Sequence, residues 1–301
     1  MKKSKKAKII VVVGPTSSGK SSVAVLLAKK FGGEVISADS RQVYRGLDIG
    51  TGKITKREMR EVPHHLLDVA SPQNTYTAAQ FKTAAGKAIK KILSKGKIPI
   101  IAGGTGFYID TLLGTISIPE VPPDKKLRDK LEKKSTEILF KTLQKLDSNR
   151  ARTIDRYNKH RLVRAIEITT TLGHVPPHAK KVSQYEIFKI GIRTDDKKLK
   201  EKITTRLFVR IRRGMIAEAK RLHESGLSFK RMEELGLEYR YLAKHLKGEI
   251  SKNEMITKLE IEIGKYSKRQ KTWFKRDRKT QWFLLAEIKK IEKAVQQFLN
   301  K

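Results

Sequence analysis

The chain has 301 residues, of which 38% are hydrophobic, and this is enough for one large domain or two smaller ones with buried cores. It contains no cysteine, which excludes disulfide bonds, thiolate metal sites and thiol redox chemistry. The formal net charge of +36 at pH 7 comes from 67 lysines and arginines against 31 aspartates and glutamates. Such an excess indicates a polyanionic partner. A lysine-rich proteome would produce the same charge without one, and charge says nothing about catalysis.

The amino-terminal stretch MKKSKKAK is rich in lysine, and we expect it to be disordered. Only five apolar residues follow it, Ile9 to Val13, which is too few for the core of a signal peptide or for a membrane span. We therefore expect a cytoplasmic protein that does not associate with a membrane, and separately we expect it to be a monomer.

Up to about residue 115, short β-branched runs alternate with helical ones. KIIVVVG, GGEVISAD and GKIPIIAGG predict strands, whereas GKSSVAVLLAKKF and YTAAQFKTAAGKAIKKILSKG predict helices. The second helix has an apolar stripe that includes Phe81, Ala85 and Ile89, so it should pack on a sheet. The alternation predicts an α/β fold with a parallel sheet and crossover helices.

A proline-containing break, ISIPEVPPDKK, predicts a domain boundary near residue 119. The charged helical segment after it is interpreted as an insertion, because YEIFKIGIRTDD restores a strand. We expect residues 1–118 to form the first part of the core, 119–186 a helical insertion domain, and 187–301 the rest of the core with carboxyl-terminal helices. The last third is predicted to be helical throughout, with its longest helix capped by Ser251 and Glu254.

The pattern G-x-x-x-x-G-K-[ST] of a P-loop lies between a predicted strand and a predicted helix, which is the context it requires. Its backbone amides close around phosphate oxygens, its lysine neutralises them, and its last residue can bind Mg²⁺. The sequence therefore predicts a P-loop NTPase-like core that binds a pyro- or triphosphate with Mg²⁺ as cofactor. The loop comprises Gly14, Pro15, Thr16, Ser17, Ser18, Gly19, Lys20 and Ser21.

The acid that usually completes such a site is missing. A P-loop kinase normally carries an aspartate at the end of another core strand to help hold Mg²⁺, but KIPIIAGG ends in Gly103 and Gly104. An acid occurs instead at Asp39, at the end of EVISAD. If that strand neighbours the P-loop strand, Asp39 lies over the phosphate site and can act as a base or accept a hydrogen bond from a second substrate. The alternative is that Asp39 caps the following turn.

A series of motifs resembles, in order and spacing, those of the tRNA dimethylallyltransferases over nearly the whole chain. They are GPTSSGKS, ISADSRQVYRGLDIGTGK, VPHHLLDV, YTAAQF, AGGTGFY, HRLVRAIEI and SKRQKTWFKRD. These enzymes move a dimethylallyl group from dimethylallyl diphosphate to the exocyclic amine of the adenine 3′-adjacent to the anticodon in tRNA, releasing diphosphate. The resemblance implies that the P-loop holds this diphosphate. Because no phosphoryl group moves, it also accounts for the missing kinase acid.

The resemblance further implies roles for individual residues. Asp39 would accept a hydrogen bond and a proton from the adenine amine, Thr16 and Arg206 would donate to the diphosphate near its bridging oxygen, and Thr105 would line the adenine channel. The insertion domain would bind tRNA, and Arg161 and Arg164, three apart on a helix, are expected to point the same way. The implied tRNA contacts are Asp39, Ser40, Arg41, Gln42, Thr105, His160, Arg161, Leu162, Val163, Arg164, Arg269 and Gln270.

Two residues depart from the family pattern. His160 stands where the family usually has Gln, and Glu238 stands where Gly is common, which leaves the geometry before Tyr239 open. The adjacent His64 and His65 lack nearby cysteines or a spaced third ligand, so packing or substrate-channel roles are favoured over a metal site.

Other functions remain open at this point. An adenylate isopentenyltransferase would share the P-loop and Asp39 but would prenylate free AMP, ADP or ATP, and the basic insertion favours tRNA over these. A P-loop small-molecule or nucleotide kinase is disfavoured by the missing acid. A non-enzymatic RNA-binding protein would leave the P-loop and Asp39 without a role.

Overall fold

The computed structural model describes residues 6–177 and 183–301. The described strands form a six-stranded parallel sheet in the order β3-β2-β4-β1-β5-β6. The predicted amino-terminal disorder falls largely on residues 1–5, which lie outside the described residues. The strands are β1 (Ala7–Val13), β2 (Gly33–Ser37), β3 (His64–His65), β4 (Ile98–Gly103), β5 (Tyr185–Arg193) and β6 (Gln281–Leu284).

Helices make up most of the remaining described chain, and among them none is long and apolar enough to cross a membrane. A 3-10 helix, Leu285–Glu287, follows β6. The α-helices are α1 (Lys20–Phe31), α2 (Lys56–Met59), α3 (Ala78–Ser94), α4 (Gly106–Leu113), α5 (Lys125–Glu132), α6 (Thr136–Leu146), α7 (Ser148–Thr153), α8 (Lys159–Leu172), α9 (Asp196–Arg212), α10 (Met215–Glu224), α11 (Phe229–Leu235), α12 (Leu237–Leu246), α13 (Lys252–Lys275) and α14 (Ile288–Asn300).

The chain divides into two compact units. The first, which we call the core unit, comprises Met1–Leu113 and Val182–Lys301, and the second, the inserted unit, comprises Gly114–Lys181. In the core unit, β1 lies inside the sheet between β4 and β5. Its residues Ile9–Val13 are fully buried, because hydrophobic clusters cover both faces of the sheet. A continuous apolar run such as IIVVV is typical of a parallel strand buried in this way.

The predicted α/β fold with a parallel sheet is confirmed, and each strand and helix predicted in the first third is present. Helix α3 buries Phe81, Ala85 and Ile89 against the sheet, as its apolar stripe predicts. Helix α13 begins with the predicted capping box, in which the Ser251 side chain accepts from the Glu254 amide and the Glu254 side chain accepts from the Ser251 amide. These local signals are strong because they depend on residues close in sequence.

One prediction about the sheet is wrong, and one condition for placing Asp39 over the phosphate site is not met. The last third is not helical throughout, because β6 adds a parallel edge strand beside β5. The strand that leads to Asp39 does not neighbour the P-loop strand, because β4 lies between β1 and β2. Asp39 nevertheless follows the carboxyl end of β2, and the P-loop follows the carboxyl end of β1, which runs parallel to it in the same sheet. The two come together because both lie where the strands end, and not because their strands pair.

The inserted unit contains α5, α6, α7 and α8 around a small apolar core that includes Leu139 and Leu143. A buried carboxylate, Glu167 of α8, stabilises it by accepting hydrogen bonds from Arg128 at 2.8 and 2.7 Å and from the Asp124 amide at 2.7 Å. Although burial raises the pKa of Glu167, the bonds from Arg128, Arg164 and Asp124 lower it overall. The carboxylate therefore stays ionised inside this unit.

Candidate active site

A cavity opens at the carboxyl ends of the strands in the core unit. Its walls come from the P-loop and the start of α1, from the carboxyl ends of β2 and β4 with β3 beside them, from the segment after β2, from residues 51–54 and from helix α9. The structure thus gathers residues far apart in sequence. Six predicted site residues line the cavity: Thr16, Lys20, Ser21, Asp39, Gln42 and Arg206.

Lys20 begins α1 directly after the P-loop, and its Nζ donates to the Pro15 carbonyl oxygen at 3.2 Å. Gly19 before it has a φ of 91°, a left-handed conformation that favours glycine. Burial lowers the pKa of Lys20 to about 8, with Arg206 lowering it further and Asp39 opposing the shift. Burial therefore makes the charged ammonium of Lys20 costly, and an anionic ligand would offset that cost.

Gln270 of α13 joins the P-loop to the segment after β4. Its Oε1 accepts from the Thr16 amide at 2.7 Å, and its Nε2 donates to the Gly104 carbonyl oxygen at 2.8 Å. A Cβ at Gly104 would lie only 2.1 Å from this Nε2, so a larger residue there would displace the Gln270 amide. Gln270 is buried, with both ends of its amide bonded to backbone. These bonds hold the Thr16 amide beside Gly104, and the implied contact of Gln270 with tRNA stays a prediction.

Asp39 both caps a turn and faces the cavity. Its Oδ1 accepts from the amides of Arg41 at 2.9 Å and Gln42 at 3.3 Å. The capping alternative is therefore correct for this oxygen. The side chain also lines the cavity with Lys20 and Arg206, and a carboxylate has two oxygens. Capping therefore leaves an oxygen of Asp39 for a chemical role, which stays a prediction.

Thr105 ties the turn after Asp39 to the segment after β4. Its Oγ1 accepts from the Ser40 amide at 3.0 Å and lies 3.3 Å from the Ser40 hydroxyl. The structure brings Thr105 into contact with Ala38 and Ser40, the neighbours of Asp39, but Thr105 is absent from the described lining of the cavity. Its implied place in an adenine channel stays a prediction.

Arg206 of α9 reaches the segment opposite the P-loop, where its Nη2 donates to the Gly52 carbonyl oxygen at 2.8 Å. The Gln42 Nε2 donates to the same oxygen at 3.3 Å. Gly52 has a φ of 58°, and a Cβ there would lie 2.6 Å from the Arg206 guanidinium. This glycine therefore allows Arg206 to approach the cavity.

Glu218 of α10 is a supporting residue that the sequence does not reveal. Its buried carboxylate accepts from the amides of Asp48 at 3.1 Å, Ile49 at 2.7 Å and Gly50 at 2.9 Å. It also accepts from the Tyr239 hydroxyl at 2.7 Å. The carboxylate thereby fixes the segment that continues to Gly52 and the cavity wall. No local pattern in the sequence marks Glu218, because its partners lie about 170 residues away in the chain.

We expect Glu218→Gln to weaken the binding of diphosphate, the ligand that the P-loop pattern predicts, by roughly tenfold or more and to lower the free energy of unfolding by roughly 2 kcal/mol or more. An amide offers one acceptor oxygen where the carboxylate serves several donors, which leaves buried groups unpaired. Isothermal titration and denaturant unfolding measure the two effects. The matched control is Glu224→Gln on the same helix, where Glu224 is exposed and pairs with Lys220 at 3.8 Å. If Glu218→Gln and Glu224→Gln had the same affinity and the same free energy of unfolding, the role of Glu218 would be contradicted.

Glu238, which stands where the family commonly has Gly, forms an ion pair in this chain. Buried Arg210 donates through Nη1 to the Gly50 carbonyl oxygen at 2.7 Å and to Glu238 Oε1 at 2.9 Å. A buried guanidinium is costly without a counter-ion. Glu238 supplies that counter-ion, so the geometry before Tyr239 is fixed by an ion pair.

The two adjacent histidines have different surroundings. His65 bonds through Nε2 to the buried Glu34 at 2.7 Å, and Glu34 also pairs with Lys95 and Lys97. Although burial raises the pKa of Glu34, the bonds from His65, Lys97 and Lys95 lower it to about 2. His64 lines the cavity, and burial lowers its pKa. Within 6–177 and 183–301, no three His, Cys, Asp or Glu side chains group as metal ligands.

The implied tRNA contacts on α8 divide into exposed and buried side chains. His160 and Arg161 are exposed. Leu162 and Val163 are buried in the core of the inserted unit, so we remove these two side chains from the set of contacts. Arg164 does not share the exposure of Arg161, because its guanidinium pairs with Glu167 and donates to the Val121 carbonyl oxygen at 2.8 Å. On α13, Arg269 is exposed and its guanidinium lies 5.9 Å from the centre of the Tyr266 ring.

Comparison with known proteins decides the family. Residues 42–277 match the family model described as IPP transferase. The chain belongs to this IPP transferase family. The relative named tRNA dimethylallyltransferase 1 of Geotalea daltonii is 43% identical over 268 residues, which cover 89% of this chain and 86% of the relative. The tRNA dimethylallyltransferase of Anoxybacillus flavithermus is 36% identical over 298 residues, 97% of this chain and 95% of that one.

Solved structures of IPP transferases and related enzymes share the fold. The full-length tRNA isopentenylpyrophosphate transferase of Bacillus halodurans matches with a TM-score of 0.75 and 33% identity, covering 98% of this chain and 97% of that one. A eukaryotic dimethylallyltransferase acting on tRNA matches with a TM-score of 0.78 and 26% identity, covering 93% and 73%. The family resemblance, the α/β fold and the assignment as a prenyltransferase enzyme are confirmed.

Proposed function

We propose that this protein transfers the dimethylallyl group of dimethylallyl diphosphate to the exocyclic amine of the adenine 3′-adjacent to the anticodon in tRNA, releasing diphosphate. The observation that carries the proposal is a single cavity in which the P-loop Lys20 faces Asp39 and Arg206. In a displacement reaction, the phosphate-binding loop and the guanidinium would stabilise the leaving group. The carboxylate would take the proton of the nucleophile.

The leaving diphosphate would lie along the P-loop. Its oxygens would accept from backbone amides at the start of α1, from Lys20 and, near the bridging oxygen, from Thr16 and Arg206. The Ser21 hydroxyl and the Asp39 carboxylate both line the cavity, and hard oxygen donors of this kind fit Mg²⁺. We propose Ser21 as the ligand from the chain, with the ion supplying further positive charge to the diphosphate.

The reaction breaks the bond between the allylic carbon and the diphosphate oxygen and forms a bond from that carbon to the adenine nitrogen. The electron pair leaves with the diphosphate, whose developing charge Lys20 and Arg206 stabilise. The nitrogen loses a proton, which Asp39 accepts. The dimethylallyl group fits the apolar part of the wall, formed by Val35, Ile54 and Ala102.

Two observations support this function over its alternatives. A kinase would use an acid at the end of a core strand beside the P-loop, but neighbouring β4 ends at Gly103. An adenylate isopentenyltransferase would act on a free nucleotide, whereas relatives that match 89% and 97% of this chain carry names that specify tRNA. We also propose that the protein acts as a monomer in the cytoplasm.

The direct test compares acceptors. Purified protein is incubated with radiolabelled dimethylallyl diphosphate, Mg²⁺ and either unmodified tRNA or AMP, and the label in each acceptor is counted. We expect label in tRNA alone, at the adenine beside the anticodon. Label in AMP would support the adenylate reaction, and label in neither acceptor would contradict prenyl transfer.

Arg161 and Arg164 should give different phenotypes, although they are three residues apart on one helix. Arg161 is 63% exposed, so Arg161→Ala should weaken tRNA binding and lower the log–log salt slope by about one unit. Arg164→Ala should instead lower the free energy of unfolding, by roughly 1.5 kcal/mol, because buried Glu167 loses one charged partner but keeps Arg128 and the Asp124 amide. Binding titrations at several salt concentrations and thermal melts check both. If Arg161 contacted only solvent, Arg161→Ala would leave the salt slope of tRNA binding unchanged.

A further inference from the structure

Tyr157 stands out in the inserted unit. Its side chain is 73% exposed, more than any other large hydrophobic side chain of the described residues. It lies in the turn between α7 and α8, just before Asn158, whose side chain caps α8 by accepting from the Arg161 amide at 3.1 Å. An exposed aromatic ring contributes little to folding, so its position is not explained by packing.

The backbone of this turn is fixed by short-range hydrogen bonds. The Tyr157 amide donates to Asp155 Oδ1 at 3.2 Å, and the Asn158 amide donates to the Asp155 carbonyl oxygen at 3.1 Å. Because the next residues enter a capped helix, the Cα of Tyr157 has little freedom. The ring is therefore presented from a rigid turn.

Arg156 also orders the ring itself. Its Nη2 donates to the Tyr157 hydroxyl oxygen at 2.7 Å, and its guanidinium carbon lies 4.9 Å from the ring centre. This is a cation–π contact on one face of the ring. The opposite face is left for another flat group.

The charge around the ring favours an anionic partner. Residues 150–161 contain a single acidic residue, Asp155. The basic residues of this segment are Arg150, Arg152, Arg156, Lys159 and Arg161. An ordered aromatic ring among basic side chains is the combination that proteins use for unpaired nucleic acid, where bases stack on rings and cations hold the phosphates.

We propose that Tyr157 is a stacking platform for one unpaired nucleobase of the tRNA substrate, with Arg156 holding the ring from its other face. This inference rests on the proposed function, since it names how the same substrate is recognised. It assigns to the turn before α8 the recognition of a single-stranded base, and to the neighbouring basic side chains the recognition of phosphate.

Binding measurements without dimethylallyl diphosphate test the proposal apart from catalysis. The probes are anticodon stem-loop RNAs that each carry 2-aminopurine at one loop position, together with a fully paired duplex of equal length. The variants are Tyr157→Ala and Tyr157→Phe, with Leu172→Ala as the matched control, because Leu172 is an exposed apolar residue at the far end of α8.

We expect Tyr157→Ala to weaken stem-loop binding by about 5- to 150-fold and to abolish the fluorescence quenching at one loop position. Duplex binding and the salt slope should not change, because the ring carries no charge. Tyr157→Phe should keep the quenching and most of the affinity, and Leu172→Ala should resemble the wild type.

Wild-type affinity and quenching in Tyr157→Ala would overturn the stacking role while leaving the proposed function intact. An equal loss of stem-loop and duplex binding would also overturn it, since a duplex offers no unpaired base. If the wild-type protein itself did not bind the stem-loop, both the proposed function and this inference would be wrong.

Discussion

Asp39→Asn should lower kcat for tRNA prenylation by about a hundred- to ten-thousand-fold, the usual range for a general base. The affinities for dimethylallyl diphosphate and tRNA should stay close to those of the wild type. The reason is that an amide retains the shape of the carboxylate but cannot take up the proton of the adenine amine. Single-turnover rates with both substrates saturating separate this effect from binding.

Because of the hydrogen bonds that Asp39 accepts, Asp39→Asn should remove the carboxylate without disturbing the local backbone. The oxygen of Asn can still accept from the amides of Arg41 and Gln42, so the turn after β2 should persist. Asp39→Ala is the contrasting variant, because it should lose the cap, worth about 1 kcal/mol, as well as the rate. If Asp39 only capped the turn, Asp39→Asn would turn over normally. If it were chiefly a Mg²⁺ ligand, excess Mg²⁺ would restore much of the rate.

The parts of the fold that could be predicted are those with a local signal. The P-loop, the buried run of β1 and the capping box of α13 each depend on residues within one short segment. Strand β6 could not be predicted in this way, because QWFL is short and its strand conformation depends on pairing with β5. The strand order could not be predicted either, because no local sequence pattern shows that β4 lies between β1 and β2.

In the candidate site, the sequence indicates the residues that face the cavity but not those that hold them. Lys20, Asp39 and Arg206 follow from motifs, and the structure gathers them. Glu218 and Gln270 act on backbone groups that are far away in sequence, so their roles depend on tertiary contacts. The surroundings of Arg164 could not be predicted for the same reason. Helical spacing places Arg164 near Arg161, but it cannot show that the Arg164 guanidinium pairs with Glu167 and donates to the Val121 carbonyl oxygen. Tertiary partners decide whether a basic side chain is free for RNA.

Lys20→Met should weaken dimethylallyl diphosphate binding by roughly 10- to 150-fold, the value of a charge-assisted hydrogen bond of about 1.5–3 kcal/mol. The empty protein should become more stable at the same time. Folding lowers the pKa of Lys20 to about 8, so the charged ammonium destabilises the folded state at neutral pH, by up to about 3 kcal/mol. A neutral methionine of similar length removes that cost. Thermal melts of the ligand-free proteins should therefore show a higher Tm for Lys20→Met.

The pH dependence of binding gives a second measurement of the same group. Below pH 8 Lys20 is protonated in the empty wild-type protein, and the affinity for the diphosphate should be at its plateau. As the pH rises through about 8 the ammonium is lost before ligand binds, so the affinity should fall towards tenfold per pH unit. Lys20→Met should lack this fall, because it has no proton to lose, and its own weak affinity should be flat from pH 7 to 9. Calorimetric titrations of wild type and variant over this interval decide the matter. A wild-type affinity that does not change between pH 7 and 9, or an identical decline in Lys20→Met, would show that Lys20 does not carry the diphosphate contact in this cavity.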